Sequence, residues 1–107
     1  LMEKFASLCV RREISMWNGD HLLANSLYDE ITDVCKTIRD EGHRDEFQDF
    51  FLHPSPTVRL EAAFNYFAVD PDRATAVLEG IVEYAGPIAL SAEMLLQEIR
   101  AGRVTPP

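Results

Sequence analysis

Three prolines, each placed directly after a residue that can cap a helix, constrain the fold more than any other feature of this sequence. They occur in the pairs Ser55-Pro56, Asp70-Pro71 and Gly86-Pro87. Proline fits the first turn of a helix, where its missing N–H would have no partner, but it disrupts a helix interior. The pattern therefore predicts short helices that begin at residues 56, 71 and 87.

Two glycines divide the first half of the chain. Gly19 and Gly42 are predicted to end helices, and Asp20 is placed to cap the helix that follows Gly19. Combined with the proline signals, they predict six helices, over residues 2–18, 20–41, 43–52, 56–69, 71–85 and 87–101. No segment combines alternating polarity with β-branched residues, so no strands are expected. We expect one all-α domain over residues 1–107.

Apolar residues recur at helical spacing throughout, and the fourth predicted helix is the most apolar. Its apolar residues leave only a narrow polar stripe through Glu61 and Asn65, which predicts that this helix is the centre of the core and that these two residues are exposed. Short connections between the helices predict that successive helices are antiparallel neighbours, in a bundle or a helical solenoid.

Glu13 does not fit the pattern of the first helix, because it falls within the apolar arc. A buried carboxylate can be a functional acid with a shifted pKa, but it is more often paired with a cation. Arg11, Arg12 or Arg59 could supply that partner, so the paired structural role is the favoured interpretation.

The net charge of the chain limits the classes of partner that the protein is expected to bind. With 18 acidic and 10 basic residues the net charge is -8, and the basic residues are scattered, so we expect no nucleic-acid surface. No apolar run is long enough to cross a membrane, and no signal peptide is recognisable. We expect no membrane partner and a cytoplasmic location, although an acidic composition also simply favours solubility.

Residues that often carry chemistry are few and dispersed. Cys9 and Cys35 lie among apolar neighbours without a metal-binding spacing, which indicates core thiols in a reducing compartment. The histidines 21, 43 and 53 occur in separate turns, without the ligand spacing that zinc requires. We found no nucleophile elbow, catalytic triad order or phosphate loop, so we expect no metal, no cofactor and no enzymatic activity.

The segment Leu52–Phe64, which reads LHPSPTVRLEAAF, resembles the second helix of a HEAT repeat. A shift of about 30 residues also superimposes the apolar pattern of residues 58–69 on that of residues 88–99, within the usual repeat period. The resemblance implies an α–α superhelix of the HEAT/ARM type, with six short antiparallel helices in three stacked pairs. In that fold the alanines 62 and 63 allow close helix approach, and Arg59 reaches the turn of a neighbouring repeat.

Residues 53–102 also resemble a family of short bacterial proteins catalogued as a domain of unknown function, number 2019. The first helix pair departs from the repeat pattern, since no Pro-x-Val-Arg turn precedes Asp20. The resemblance indicates a fold more clearly than an activity. The residues that carry it are Pro54, Val58, Arg59, Ala62, Ala63, Asp70, Pro71, Ala74, Leu78, Gly86, Pro87, Ala92 and Leu96.

The first hypothesis for function is a non-catalytic protein–protein interaction module. The second, fourth and sixth helices would line one surface and present an acidic band that attracts a basic protein partner, as an inhibitor or toxin-neutralising protein does. Arg59 would be structural. The predicted binding residues are Asn25, Asp29, Asp33, Glu61, Asn65, Ser91 and Glu98.

Two alternatives belong to other classes. Some HEAT-like proteins are lyases or DNA glycosylases, so an enzyme or a ligand-binding protein of the lyase type is one alternative. The other is a structural homodimer formed through the C-terminal helix, because Leu90 and Met94 fall off its main apolar face. The tail, residues 103–107, could instead fold over these two side chains.

Overall fold

Six helices account for most of the chain in a computed structural model, which describes residues 1–84 and 86–107. No strand occurs among these residues. The predicted all-α fold with six helices is confirmed. The elements are α1 (Met2–Trp17), α2 (His21–Asp40), a 3₁₀ helix (Arg44–Phe50), α3 (Pro56–Tyr66), α4 (Pro71–Val82) and α5 (Pro87–Arg100).

The helix boundaries follow from local capping. The side chains of Asp20, Ser55 and Asp70 each accept a hydrogen bond from the backbone N–H three residues later, at 3.1, 3.3 and 3.1 Å. Each bond satisfies a donor that would otherwise lack an intrahelical partner. Gly19 and Gly42 follow α1 and α2 with φ of 73° and 82°, a conformation that a side chain disfavours, which confirms their predicted role as terminators.

The third helix differs from the prediction, because it is a 3₁₀ helix rather than an α-helix. Residues three apart eclipse one another in a 3₁₀ helix, so Phe47 and Phe50 lie on one side. Both rings contact Phe5 of α1 edge-on, with centroids 5.2 and 5.8 Å away. The 3₁₀ winding thus places both rings against Phe5.

Two predicted helix ends were too late along the chain. The fourth predicted helix ends at Tyr66 rather than at residue 69, because the Tyr66 carbonyl accepts turn hydrogen bonds from the N–H groups of Val69 and Asp70. The fifth ends at Val82, and its predicted end, residue 85, lies outside the described residues.

Helix α3 is the centre of the packing, as the sequence predicted. It contacts α1, the 3₁₀ helix, α4 and α5, while α1 also packs along α2 and α4 along α5. Val58, Ala62 and Ala63 of α3 are fully buried, and the small alanines allow close approach of the neighbouring helices. Because α1 and α5 both lie against α3, side chains from α1, α2, α3 and α5 can line one shared surface.

Candidate functional site

The structure separates the seven predicted binding residues into two groups. Asn25, Asp29 and Asp33 are exposed on α2, and Ser91 and Glu98 are half-buried on α5. The other two are buried: Glu61 and Asn65 are 7% and 2% exposed. The expectation that they form an exposed stripe of α3 was wrong, so the seven residues do not make one continuous acidic band.

Asn65 can be buried because both the nitrogen and the oxygen of its side-chain amide are hydrogen-bonded. Its amide nitrogen donates to the Glu61 carbonyl at 2.8 Å, and its oxygen accepts from the Arg39 guanidinium of α2. A buried amide needs such partners to avoid a desolvation cost. Asn65 therefore joins α2 to α3, and the sequence could not show this because the partner lies 26 positions away.

Glu61 lies instead at a pocket of about 190 Å³ that four helices line. Helix α1 contributes Arg12 and α2 contributes Tyr28. The remaining lining residues are Leu60, Glu61 and Phe64 of α3, with Ser91 and Leu95 of α5. The pocket is thus lined by the first helix as well as by the second, fourth and sixth helices, and two of the predicted residues, Glu61 and Ser91, line it.

Arg12 is held at the wall of this pocket by two contacts with α2. Its Nε donates to the Ala24 carbonyl at 3.3 Å, and its guanidinium carbon lies 5.0 Å from the centre of the Tyr28 ring. The ring face attracts the cation, and the carbonyl fixes one edge of the guanidinium. Within the described residues the Arg12 side chain makes no second hydrogen bond, so its terminal nitrogens remain available to a bound group.

Glu61 differs from most buried carboxylates because its side chain accepts no hydrogen bond from any described residue. Burial raises the pKa of Glu61 to about 7, and the nearby Arg12 guanidinium opposes this rise. Arg12 and Glu61 are not in ion-pair contact in the described structure. The pocket thus contains an unpartnered acidic group and a separately anchored cation.

The two cysteines lie near this carboxyl and are buried free thiols, as predicted. Burial, and secondarily the charge of Glu61, raises the pKa of Cys35 to about 12 and shifts the pKa of Cys9 strongly in the same direction. A thiol that stays protonated is a poor nucleophile and a poor metal ligand. The thiols therefore serve as core residues in this arrangement.

Glu13 has a different partner from those the sequence suggested. Its carboxylate accepts hydrogen bonds from the Ser55 hydroxyl at 3.1 Å, from the Thr57 hydroxyl at 3.0 Å and from the Thr57 N–H at 3.3 Å. The expected pairing with an arginine was wrong. The carboxylate of α1 instead joins the start of α3, where the helix dipole and unpaired N–H groups favour a negative charge.

Arg59 reaches the turn that follows α4, as the resemblance implied. Its guanidinium donates to the Tyr84 hydroxyl and its central carbon lies 4.7 Å from the centre of that ring. Its Nε is buried and has no partner in the described structure. The contact agrees with a positioning role between α3 and the turn after α4.

The histidines are spread over the molecule. His43 contacts Glu46 at 2.9 Å on the surface, and His53 accepts a hydrogen bond from the Ser55 N–H at 3.0 Å. Across the part of the chain that the structure describes, no three His, Cys, Asp or Glu side chains are grouped to hold a metal ion. Among the same residues, no helix is both long and apolar enough to span a bilayer.

Most residues of the pocket were not predicted from the sequence. The sequence indicates Arg12 only as a possible partner for Glu13, and no sequence pattern distinguishes Tyr28, Phe64 or Leu95 from other helix positions. The signal that was present is Glu61, the acidic residue of a mostly apolar helix that we predicted to be the centre of the core. In such a helix, a carboxyl indicates a special environment rather than an exposed stripe.

The comparisons with known proteins agree with this all-α architecture. The chain belongs to the family described as a domain of unknown function, DUF2019, which matches residues 1–100. The match confirms the resemblance seen in residues 53–102 and extends it over the first helix pair. A crystal structure of the protein RPA1889 from Rhodopseudomonas palustris CGA009 has a TM-score of 0.88 and 27% identity, covering 99% of this chain and 90% of that chain. No curated protein matches the chain.

Proposed function

We propose that the protein is a non-catalytic protein–protein interaction module whose binding face surrounds the pocket between α2, α3 and α5. The observation that carries the proposal is the position of Tyr28, which lines the pocket and is 44% exposed. Aromatic side chains that are partly exposed beside a concave surface are typical centres of protein interfaces. Arg12, which stacks on this ring, is of another residue type enriched there.

The rim beside Tyr28 supports a partner with basic residues. Asn25 lies one turn before Tyr28 on α2, Asp29 directly follows Tyr28, and Asp33 lies one turn after Asp29; all three are exposed. A net charge of -8 favours encounter with a basic surface, and acidic rim residues would orient that encounter. An inhibitor of a basic protein is one activity with this chemistry.

The test is an affinity capture from extract of the source cell, with proteins identified by mass spectrometry at low and high salt. We expect one basic protein that is lost at high salt. Replacing Asp29 and Asp33 by Asn should weaken its capture about tenfold. The matched control replaces Asp45 and Asp49, two exposed carboxylates of the 3₁₀ helix, and removes the same charge elsewhere. Equal capture by both variants would reject this binding face.

A second candidate is self-association through α5, and it rests on the exposure of Leu90 and Met94. These side chains lie one turn apart and are 59% and 54% exposed. The rival explanation, in which the tail covers them, was wrong: the tail ends beside the 3₁₀ helix, where Arg44 donates to the Pro107 carbonyl at 2.9 Å. Two neighbouring exposed apolar side chains favour contact with a second copy.

Sedimentation equilibrium distinguishes this candidate from the first. A dimer that becomes monomeric when Leu90 and Met94 are replaced by Glu would support self-association. The control replaces Leu22, a side chain on α2 that is 86% exposed, by Glu. A wild-type chain that stays monomeric at high concentration would reject it.

A further inference from the structure

The pocket between α2, α3 and α5 contains two opposite charges that do not neutralise each other directly. The Glu61 side chain is more than nine-tenths buried and accepts no hydrogen bond from a described residue. Arg12 also lines the pocket and is anchored through its Nε and through the Tyr28 ring, without ion-pair contact to Glu61. A largely buried carboxylate that has no protein donor and opens only into the pocket is poorly solvated, and a ligand that donates a hydrogen bond to it would relieve that cost.

The two charges select against charged ligands. A cation that paired with Glu61 would lie beside the Arg12 guanidinium, and an anion that paired with Arg12 would lie beside the Glu61 carboxylate. Either arrangement brings like charges together inside a partly desolvated site. An uncharged group that both donates and accepts hydrogen bonds satisfies both residues without that repulsion.

The walls and the volume limit the rest of the ligand. Tyr28, Phe64, Leu60 and Leu95 offer aromatic and aliphatic surface. The volume of about 190 Å³ is below that of pockets that hold drug-sized ligands. A single ring or one amino-acid side chain is the matching size.

We propose that this pocket recognises a carboxamide on a small aromatic or aliphatic body, with the amide N–H donating to Glu61 and the carbonyl accepting from Arg12. The chemistry is the same for a free small amide and for a glutamine or asparagine side chain of a protein. The proposal does not require the protein partner proposed above, although a partner side chain is one source of the group.

Three planar compounds of nearly equal shape test the proposal: benzamide, the benzamidinium cation and benzoate. Each is titrated into the full chain labelled with ¹⁵N, at about pH 8, where Glu61 is ionised. We expect benzamide to shift the amide signals of Tyr28, Glu61, Ser91 and Leu95. We also expect it to bind about tenfold tighter than either charged compound.

Two variants locate the site. Replacing Ser91 by Phe fills the pocket from its half-buried α5 wall and should abolish the benzamide shifts, whereas Ser26→Phe, on an exposed position of α2, should not. Replacing Glu61 by Leu removes the acceptor and should weaken benzamide about tenfold. It should not unfold the chain, since it replaces an unpartnered buried carboxyl with an apolar side chain.

Several outcomes would overturn the proposal. Tighter binding of benzamidinium would make the pocket a cation site, and tighter binding of benzoate would make Arg12 alone the determinant. Shifts that persist in the Ser91→Phe chain, or the absence of shifts, would also reject it. If benzamide binds and displaces a captured protein, the natural group is a partner side chain, and if it binds without displacement, the group is a free amide.

Discussion

Two carboxylates inside the molecule, Glu13 and Glu61, occupy opposite kinds of environment. Glu13 joins α1 to the start of α3 and accepts three hydrogen bonds from Ser55 and Thr57. Glu61 is more deeply buried, yet accepts none. Burial alone therefore does not identify a structural carboxylate, because the donors that surround it decide whether burial stabilises or costs stability.

The difference distinguishes a structural contact between two helices, at Glu13, from a candidate binding site, at Glu61. In the contact between α1 and α3, the hydroxyls of Ser55 and Thr57 are themselves buried and need the Glu13 carboxylate as their acceptor. In the pocket, the other lining residues are apolar side chains, the hydroxyl-bearing Tyr28 and Ser91, and Arg12, whose guanidinium is anchored elsewhere. A group kept at a cost to stability is a candidate for function.

The largest effect on stability is expected from replacing Glu13. Glu13→Ala should lower the free energy of unfolding by about 3–4 kcal/mol, because it leaves two buried hydroxyls and one helix N–H without an acceptor. Urea unfolding measures this. The control is Glu3→Ala, an exposed glutamate of the same helix, which should change stability little. If Glu13→Ala lowered the free energy of unfolding no more than Glu3→Ala, the structural role of Glu13 would be contradicted.

The next effect concerns pH and Glu61. The pKa of Glu61 is about 7 in the folded chain, compared with an ordinary value of 4.5. The folded state therefore holds the proton more tightly, so the cost of this group is absent below about pH 4.5, grows up to about pH 7 and is complete above it. Glu61→Gln should then become more stable relative to wild type by an amount on the order of 2–3 kcal/mol across that window.

The measurement is urea unfolding of both chains at about pH 4.5 and about pH 8, which bracket the window. The groups that face or lie near Glu61 from the other helices are Arg12, Cys9, Tyr28 and Cys35, and they are the same in both chains. Glu30→Gln, an exposed glutamate of α2, is the control and should show no such trend. A pH-independent difference between Glu61→Gln and wild type would contradict the shifted pKa.

Arg59 is intermediate between the two carboxylates, because it is only partly satisfied. It bonds to the Tyr84 hydroxyl and stacks on the ring, but its buried Nε has no partner in the described structure. Leaving buried partners unpaired generally costs about 1–3 kcal/mol, which sets the upper range for Arg59→Ala. Since Tyr84 is 45% exposed and water can replace the bond, we expect a loss of about 1 kcal/mol by thermal unfolding. An unchanged melting temperature would count against its positioning role.

Local signals in the sequence were sufficient to predict the fold. Prolines 56, 71 and 87 each begin a helix within the first turn, and Gly19 and Gly42 each end one. These signals act over a few residues, so they can be recognised without knowledge of the tertiary structure. The 3₁₀ form of residues 44–50 could not be predicted in this way, because it depends on contacts of Phe47 and Phe50 with Phe5.

The candidate site was harder to predict from the sequence than the fold was, because it depends on contacts between residues far apart in the chain. Helical periodicity placed Glu61 and Asn65 together on α3, which was right, but it assigned that face to solvent. The side of α3 that α1 and α2 cover is decided by long-range packing, such as the contact of Arg39 with Asn65. The partners of Glu13 were missed likewise, since they are more than 40 positions away along the chain.

The smallest effect is expected at Glu98, a half-buried carboxylate at the surface that has a partner. Arg103 donates to both of its oxygens, at 2.6 and 3.1 Å, and this hydrogen-bonded contact lowers the pKa of Glu98. Exposed ion pairs gain little because water and salt compete with them. Glu98→Gln should therefore leave the melting temperature within experimental error at low and at high salt. A decrease comparable to that of Glu13→Ala would show that a strong partner can stabilise a carboxylate without burial, and would break the comparison.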